Sequence, residues 1–325
     1  MKLACFYPGS LYCAWSVSIG LVDTLERMGH EVLAVPIAGT ENSIRREGRA
    51  PAQLNQSAYP TSSQLRDCDG IVLSGPEHMQ PELAALYPDW NEIDVPKVSW
   101  LHETVEREDY GRLPIESIKE LAHATFTPAY QDQKFGMEWL PFGVDTHIFK
   151  PDCAVRKEFD AAFIGLMYPK RTQFMQALRP YLGGIEILHC NIQVTDLGGV
   201  RMRDSAALYA DNLRRIKVFV NLPTLCQHTV TKVYEVLACG TFLITPAILE
   251  HHNFENVQAH FYLPSRPDKL AESIRFCLEH EEERNEAARA CCEQVHRLHQ
   301  LQWRCETLVA ALQGHLCARW WPSAG

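Results

Sequence analysis

Residues 227–245 read Gln227-His228-Thr229-Val230-Thr231-Lys232-Val233-Tyr234-Glu235-Val236-Leu237-Ala238-Cys239-Gly240-Thr241-Phe242-Leu243-Ile244-Thr245. Lys232 and Glu235 stand three apart, and Val233, Val236 and Leu237 recur at the spacing of one helical face, which predicts a helix starting near Thr229. Gly240 closes the pattern as a glycine just past a helix end does, and Thr241 to Ile244 follow as a strand. A helix start beside a lysine favours a diphosphate, because free backbone N–H groups and the positive end of the helix dipole both attract anions. Glu235, one turn further in, can accept hydrogen bonds from two adjacent hydroxyls such as those of a ribose. On spacing alone the competing reading is a weak surface ion pair.

Working outward, the rest of the second half repeats the same alternation. Strands are expected at Asp160 to Ile164, Ile185 to His189 and Lys217 to Asn221, helices near Arg171 to Leu178, Ser205 to Leu213 and Thr231 to Ala238, and further helix from Asp268 onward. The first half does likewise, with strands at Lys2 to Tyr7, Glu31 to Val35, Gly70 to Leu73, Lys97 to Leu101 and Ala124 to Thr127, and a helix from Ser16 to Met28. Strand–helix alternation implies a parallel sheet covered by helices. The Pro- and Gly-punctuated stretch Leu140-Pro141-Phe142-Gly143-Val144-Asp145, with Phe149 and Pro151, marks the boundary. The expectation is α/β with two Rossmann-like, doubly wound domains, 1–151 and 152–300, and a C-terminal helix in 301–325 that packs back on the first. Their strand ends would open on one cleft.

Bulk properties narrow the class. At 325 residues, 46% hydrophobic and 22% charged, the chain has material for two ordinary cores. The 12 Cys form no CxxC pair and read as buried reduced thiols, not a disulfide or zinc framework. The first residues, Met1 to Tyr7, are too short for a signal peptide, and no apolar run approaches about 18 residues, so a cytoplasmic chain without a membrane span is expected. The net charge of -9 is uneven: residues 1–151 hold 12 Lys+Arg against 21 Asp+Glu, and residues 152–325 hold 19 of each.

The stretch around Glu235 resembles the signature of group 1 glycosyltransferases, in which a carboxylate, seven residues and a second Glu precede Ala-x-Gly and a strand. The second Glu falls on Glu235, ahead of Ala238-Cys239-Gly240, and the resemblance gives it the donor ribose; the first acidic position is Gln227 here. Phe163-Ile164-Gly165-Leu166-Met167-Tyr168-Pro169-Lys170-Arg171 resembles the strand, Gly turn and Arg that meet the donor diphosphate in spore-maturation-type glycosyltransferases, and His260-Phe261-Tyr262-Leu263 their later strand. The resemblance implies the GT-B fold and transfer of a hexose-like sugar from a nucleotide sugar, a UDP-sugar, that acts as co-substrate, with no cofactor and no metal. Gly165, Lys170, Arg171, Gln227, His228, Thr229, Lys232 and Glu235 are then the donor-binding candidates, with His189 and Asn191 facing the base.

For proton abstraction the candidates end a strand: Val98-Ser99-Trp100-Leu101-His102-Glu103. A remoter resemblance to phage DNA β-glucosyltransferases places a carboxylate base there, which favours Glu103 slightly over His102 and, with Gln227 in an acidic position, an inverting reaction. Asp67-Cys68-Asp69 runs directly into a strand and reads as a strand cap, not a metal motif; His251-His252 has no partner at ligand spacing. The acidic first half argues for a small-molecule, glycan or protein acceptor ahead of DNA, since DNA affinity depends on cationic phosphate contacts. A nucleotide-sugar epimerase and a non-catalytic sugar-nucleotide sensor are the rival functions.

Overall fold

A computed structural model of the protein describes residues 1–9, 15–37, 56–107, 111–165, 167–190, 199–222, 228–246, 260–262 and 266–314. They form two units, one drawn from Met1–Gly143, Cys226–His228 and Leu301–Gly325, the other from Val144–Leu225 and Thr229–Gln300.

The first unit contains β1 (Lys2–Pro8), α1 (Ile19–Arg27), β2 (Glu31–Ile37), α2 (Ser62–Arg66), β3 (Gly70–Ser74), α3 (Gln80–Leu86), β4 (Lys97–Trp100), a two-stranded ribbon of β5 (Glu106–Arg107) and β6 (Gly111–Arg112), α4 (Ile115–Lys119), β7 (Ala124–Thr127) and β8 (Glu138–Trp139). Its main sheet has the order β2-β1-β3-β4-β7-β8, and every pair is parallel. The chain winds one way from β1 to β2 and the other way from β3 onward, so the switch point lies between β1 and β3. The sequence patterns locate all five longer strands. The two-residue β8 is absent from them, since so short an edge strand has no periodicity to read. The helical pattern of 16–28 resolves into a 3-10 turn, Trp15–Val17, followed by α1. Asp69 Oδ2 accepts from the Lys2 N–H at 2.7 Å, tying β3 to β1.

The second unit contains β9 (Phe159–Ile164), α5 (Pro169–Leu178), β10 (Ile187–Cys190), α6 (Gly199–Arg215), β11 (Ile216–Val220), α7 (Thr231–Ala238), β12 (Phe242–Thr245), β13 (His260–Tyr262), α8 (Pro267–Glu279) and α9 (Glu281–Leu298). Its parallel sheet has the order β10-β9-β11-β12-β13, with the switch point between β9 and β11. Both sheets are therefore doubly wound. The boundary falls at Gly143, ahead of Pro151, because residues 144–150 are fastened to the second unit. The Val144 N–H donates to His299 O at 2.8 Å, and Arg214 donates to the carbonyls of Ile148 and Lys150 at 2.6 and 2.8 Å.

After α9 the chain returns to the first unit as α10 (Leu301–Leu312), packed on α1, β3 and β4. A Cβ on Gly70 would lie 2.8 Å from Leu312 Cδ1, so the glycine admits the helix. Arg304 is buried and donates through Nε to Pro141 O at 2.8 Å and through Nη2 to Phe142 O at 3.1 Å. Arg304→Met should leave those carbonyls without their donor and cost about 2–4 kcal/mol, on the scale of charged hydrogen bonds and buried acceptors left unmet. Urea unfolding followed by tryptophan fluorescence reads the loss.

Candidate active site

The strongest candidate site is at the switch point of the second sheet. Gly165 follows β9 with φ 154°, and a Cβ there would stand 2.5 Å from Lys232 Nζ and 3.2 Å from Phe163 Cζ. The missing side chain is what lets the Lys232 ammonium approach the backbone turn. Arg171 and Lys232 share one aromatic ring: the Arg171 Cζ is 5.1 Å and the Lys232 Nζ 5.0 Å from the Phe163 centroid. Arg171 also lies 4.3 Å from the Tyr168 ring centroid and donates to Leu222 O, just beyond β11, at 3.2 Å. Arg171 is buried in the first turn of α5, and Lys170 beside it is exposed.

The helix within residues 229–245 spans Thr231–Ala238, as its sequence pattern indicates. Val230 is its N-cap and Thr231 its first residue, so Lys232 falls in the first turn of α7. Two helix starts, those of α5 and α7, thus each bring a cation and the positive end of a helix dipole to one edge of the sheet. Glu235, buried one turn on, is electrostatically coupled to Lys232. Among the described residues neither Lys232 nor Glu235 has a hydrogen-bond or ion-pair partner. Burial and the Arg171 charge push the Lys232 ammonium down to about 7, with Glu235 opposing. Burial pushes the Glu235 carboxyl up to about 7, with Lys232 opposing. Two buried charges without hydrogen-bonded partners are costly, and the cost is relieved by a ligand that brings an anion to one and hydroxyls to the other.

One residue that the sequence patterns do not single out joins this site. Asn221 directly follows β11, donates to Thr245 Oγ1 at 3.0 Å and keeps a buried Oδ1 without a donor among the described residues. Only the switch-point position marks it. His189 is in β10, while Asn191 and Gln227 lie outside the described residues. Thr229 is buried in the second unit, but His228 belongs to the first.

In the first unit a second polar cluster gathers at the ends of β3 and β4. His102 Nε2 is 2.8 Å from Ser74 Oγ, and that hydroxyl donates to Val17 O at 2.7 Å. With the hydroxyl proton spent on Val17, His102 Nε2 is the donor, leaving Nδ1 as the acceptor. The imidazole rests on Gly75, whose φ is 70° and whose Cβ would stand 2.6 Å from Nδ1. Its pKa is well below the usual value for histidine because of burial, with His78 and His228 adding positive neighbours. Phe142 packs edge-on to both His102 and His228. Glu103, half-buried, follows in the same loop. Glu77, absent from the sequence candidates, accepts at Oε1 from the N–H groups of His102 at 2.6 Å and Glu103 at 2.9 Å.

The chain resembles known proteins in sequence over one stretch and in fold over nearly its whole length. Residues 188–310 match the family model described as glycosyl transferase-like. No curated protein matches the sequence. Among solved structures, HepE of Anabaena in complex with UDP-glucose superposes with a TM-score of 0.65 at 11% identity, covering 97% of this chain and 100% of that one. Sucrose-phosphate synthase of Thermosynechococcus elongatus gives 0.64 at 11% identity, covering 96% and 99%. An alpha-glucosyltransferase in complex with UDP-glucose and DNA containing an abasic site gives 0.64 at 10%, also covering 96% and 99%. Residues 188–310 are thus glycosyl transferase-like, and the chain has the GT-B fold. Among the described residues no helix of this protein is long and apolar enough to cross a membrane.

The perturbed pair fixes a pH signature for the unliganded protein. Between pH 4.5, the ordinary Glu value, and about 7, folded Glu235 keeps a proton that the unfolded chain has lost, so its contribution to stability falls as pH rises through that window. Above about 7 the sign reverses for Lys232, because the unfolded chain holds the proton that the folded one has released. Glu235→Gln should flatten the fall and raise unfolding free energy at pH 7.5 by on the order of 1 kcal/mol. Thermal unfolding across pH 5 to 9 checks both.

Proposed function

We propose that the enzyme transfers a hexose-like sugar from a UDP-sugar to a hydroxyl acceptor, without a metal. The observation that carries this reading is the Lys232–Arg171 pair on the Phe163 ring above Gly165, in the first turns of α7 and α5. Departure of a nucleoside diphosphate builds negative charge on its leaving oxygens, and cations fixed there stabilise the transition state. Glu235 and Asn221 suit the ribose, with His189 and Asn191 assigned to the base and Gln227, His228 and Thr229 to the donor's sugar end. The UDP and UDP-glucose complexes of proteins with this fold support the choice of donor.

For the proton, a neutral His102 with its Nδ1 as acceptor and the adjacent Glu103 are the two groups of the β4 loop able to act as general base, and a base of this kind serves an inverting displacement. A second reading has one observation behind it. The alpha-glucosyltransferase of the same fold is in complex with UDP-glucose, whose own linkage is α, and an α-product from an α-linked donor would be the outcome of retention. Under retention His102 and Glu103 hold sugar or acceptor hydroxyls. The anomer of the product, read by proton NMR, separates the two readings. The charge of residues 1–151, 12 Lys+Arg against 21 Asp+Glu, favours a small molecule, glycan or protein acceptor over DNA.

Calorimetry with UDP and uridine tests the donor site. Lys232→Ala and Arg171→Ala should weaken UDP binding strongly and leave uridine unchanged, while Glu235→Ala should cost both ligands about 1.5–3 kcal/mol. Equal losses for UDP and uridine in the lysine and arginine variants would remove the diphosphate from this site. Turnover should persist in excess EDTA.

A further inference from the structure

The loop that follows β4 holds both His102 and Glu103, and its backbone is fastened by carboxylates from elsewhere in the first unit. Glu77 Oε1 takes the N–H groups of His102 and Glu103, at 2.6 and 2.9 Å. Asp132, in the 3-10 segment Tyr130–Phe135 after β7, takes the Val105 N–H at 2.7 Å. Glu77 belongs to the turn after β3, where Gly75, in the left-handed region with φ 70°, and Pro76 aim the next residue back across the strand ends. Its side chain has no exposed surface, and its Oε2 has no partner among the described residues.

We propose that Glu77 is a positioning residue: by accepting from two successive main-chain N–H groups it sets the conformation of the loop that presents His102 and Glu103. The proposal rests on the reading of those two as the groups that meet the reacting hydroxyl. The geometry explains why a buried acid is placed here at all. One carboxyl oxygen can receive two adjacent N–H donors at once through its two lone pairs, and the length of the Glu side chain carries that oxygen from the β3 turn to the β4 loop. The groups that face Glu77 are His78, with Nε2 at 3.8 Å from Oε1, His102, whose ring centroid is 5.8 Å from that of His78, and Glu103. Burial pushes the Glu77 carboxyl up to about 8, against the two N–H donors and with the help of the Glu103 charge. At neutral pH it is thus close in charge and shape to a glutamine.

That equivalence supplies the test. In the unliganded full chain, Glu77→Ala should speed amide hydrogen exchange at His102 and Glu103 at least tenfold while Ile71 to Leu73 of β3 keep their protection. Glu77→Gln, which retains an Oε1 acceptor, should exchange like the wild type at pH 7. In UDP-glucose hydrolysis, with water as the acceptor, Glu77→Ala should lose tenfold or more in kcat with KM unchanged, and Glu77→Gln should restore most of it. Unchanged exchange at His102 and Glu103 in Glu77→Ala, or a Glu77→Gln variant as loose as Glu77→Ala, overturns the proposal. If the wild type binds no UDP and hydrolyses no UDP-glucose, the donor assignment fails, and the exchange comparison still decides whether Glu77 sets the loop.

Discussion

Each of the two main sheets is wholly parallel, and the strands that make their centres are buried on both faces. A parallel sheet covered on both sides leaves no room for polar chemistry along its strands, so polar groups collect where strands end and chain direction switches. Both clusters obey this constraint. In the second unit it places Gly165 after β9 and Asn221 after β11, flanking the switch; in the first it places Gly75 after β3 and His102 after β4. The glycines are part of the same logic, since only a residue without Cβ lets a lysine or an imidazole press against the turn.

Within that frame the two clusters solve different electrostatic problems. The second unit stacks two cations on one ring and buries an acid beside them without hydrogen-bonding any of these charges to another, an arrangement that costs stability in the free protein. The first unit instead keeps its imidazole neutral and spends the Ser74 and Glu77 side chains on holding it and its loop.

The supporting interactions lie away from the chemistry. Lys157 donates to Gly240 O and Thr241 Oγ1, and His296 and the Cys292 thiol both reach Ala238 O, so the C-terminal end of α7 is satisfied by side chains while no side chain caps its N-terminal end. Burial raises the thiols of Cys239, Cys277, Cys291 and Cys292 to about 11 or 12, which fits core residues and not reactive ones.

The sequence by itself determined whatever depends on local periodicity and on spacing within one element. The alternating strands and helices, the doubly wound class, the pairing of Lys232 with Glu235 on α7 and the strand-end position of His102 were all readable, because each is fixed within a few residues of itself. That Arg171 meets the Phe163 ring was not, because spacing alone does not say which of Lys170 and Arg171 turns inward. Asn221, Glu77 and the placement of His228 with the first unit needed the tertiary structure, because each takes its meaning from partners far away in the chain. Glu77 meets a loop 25 residues on, and no local pattern encodes that distance.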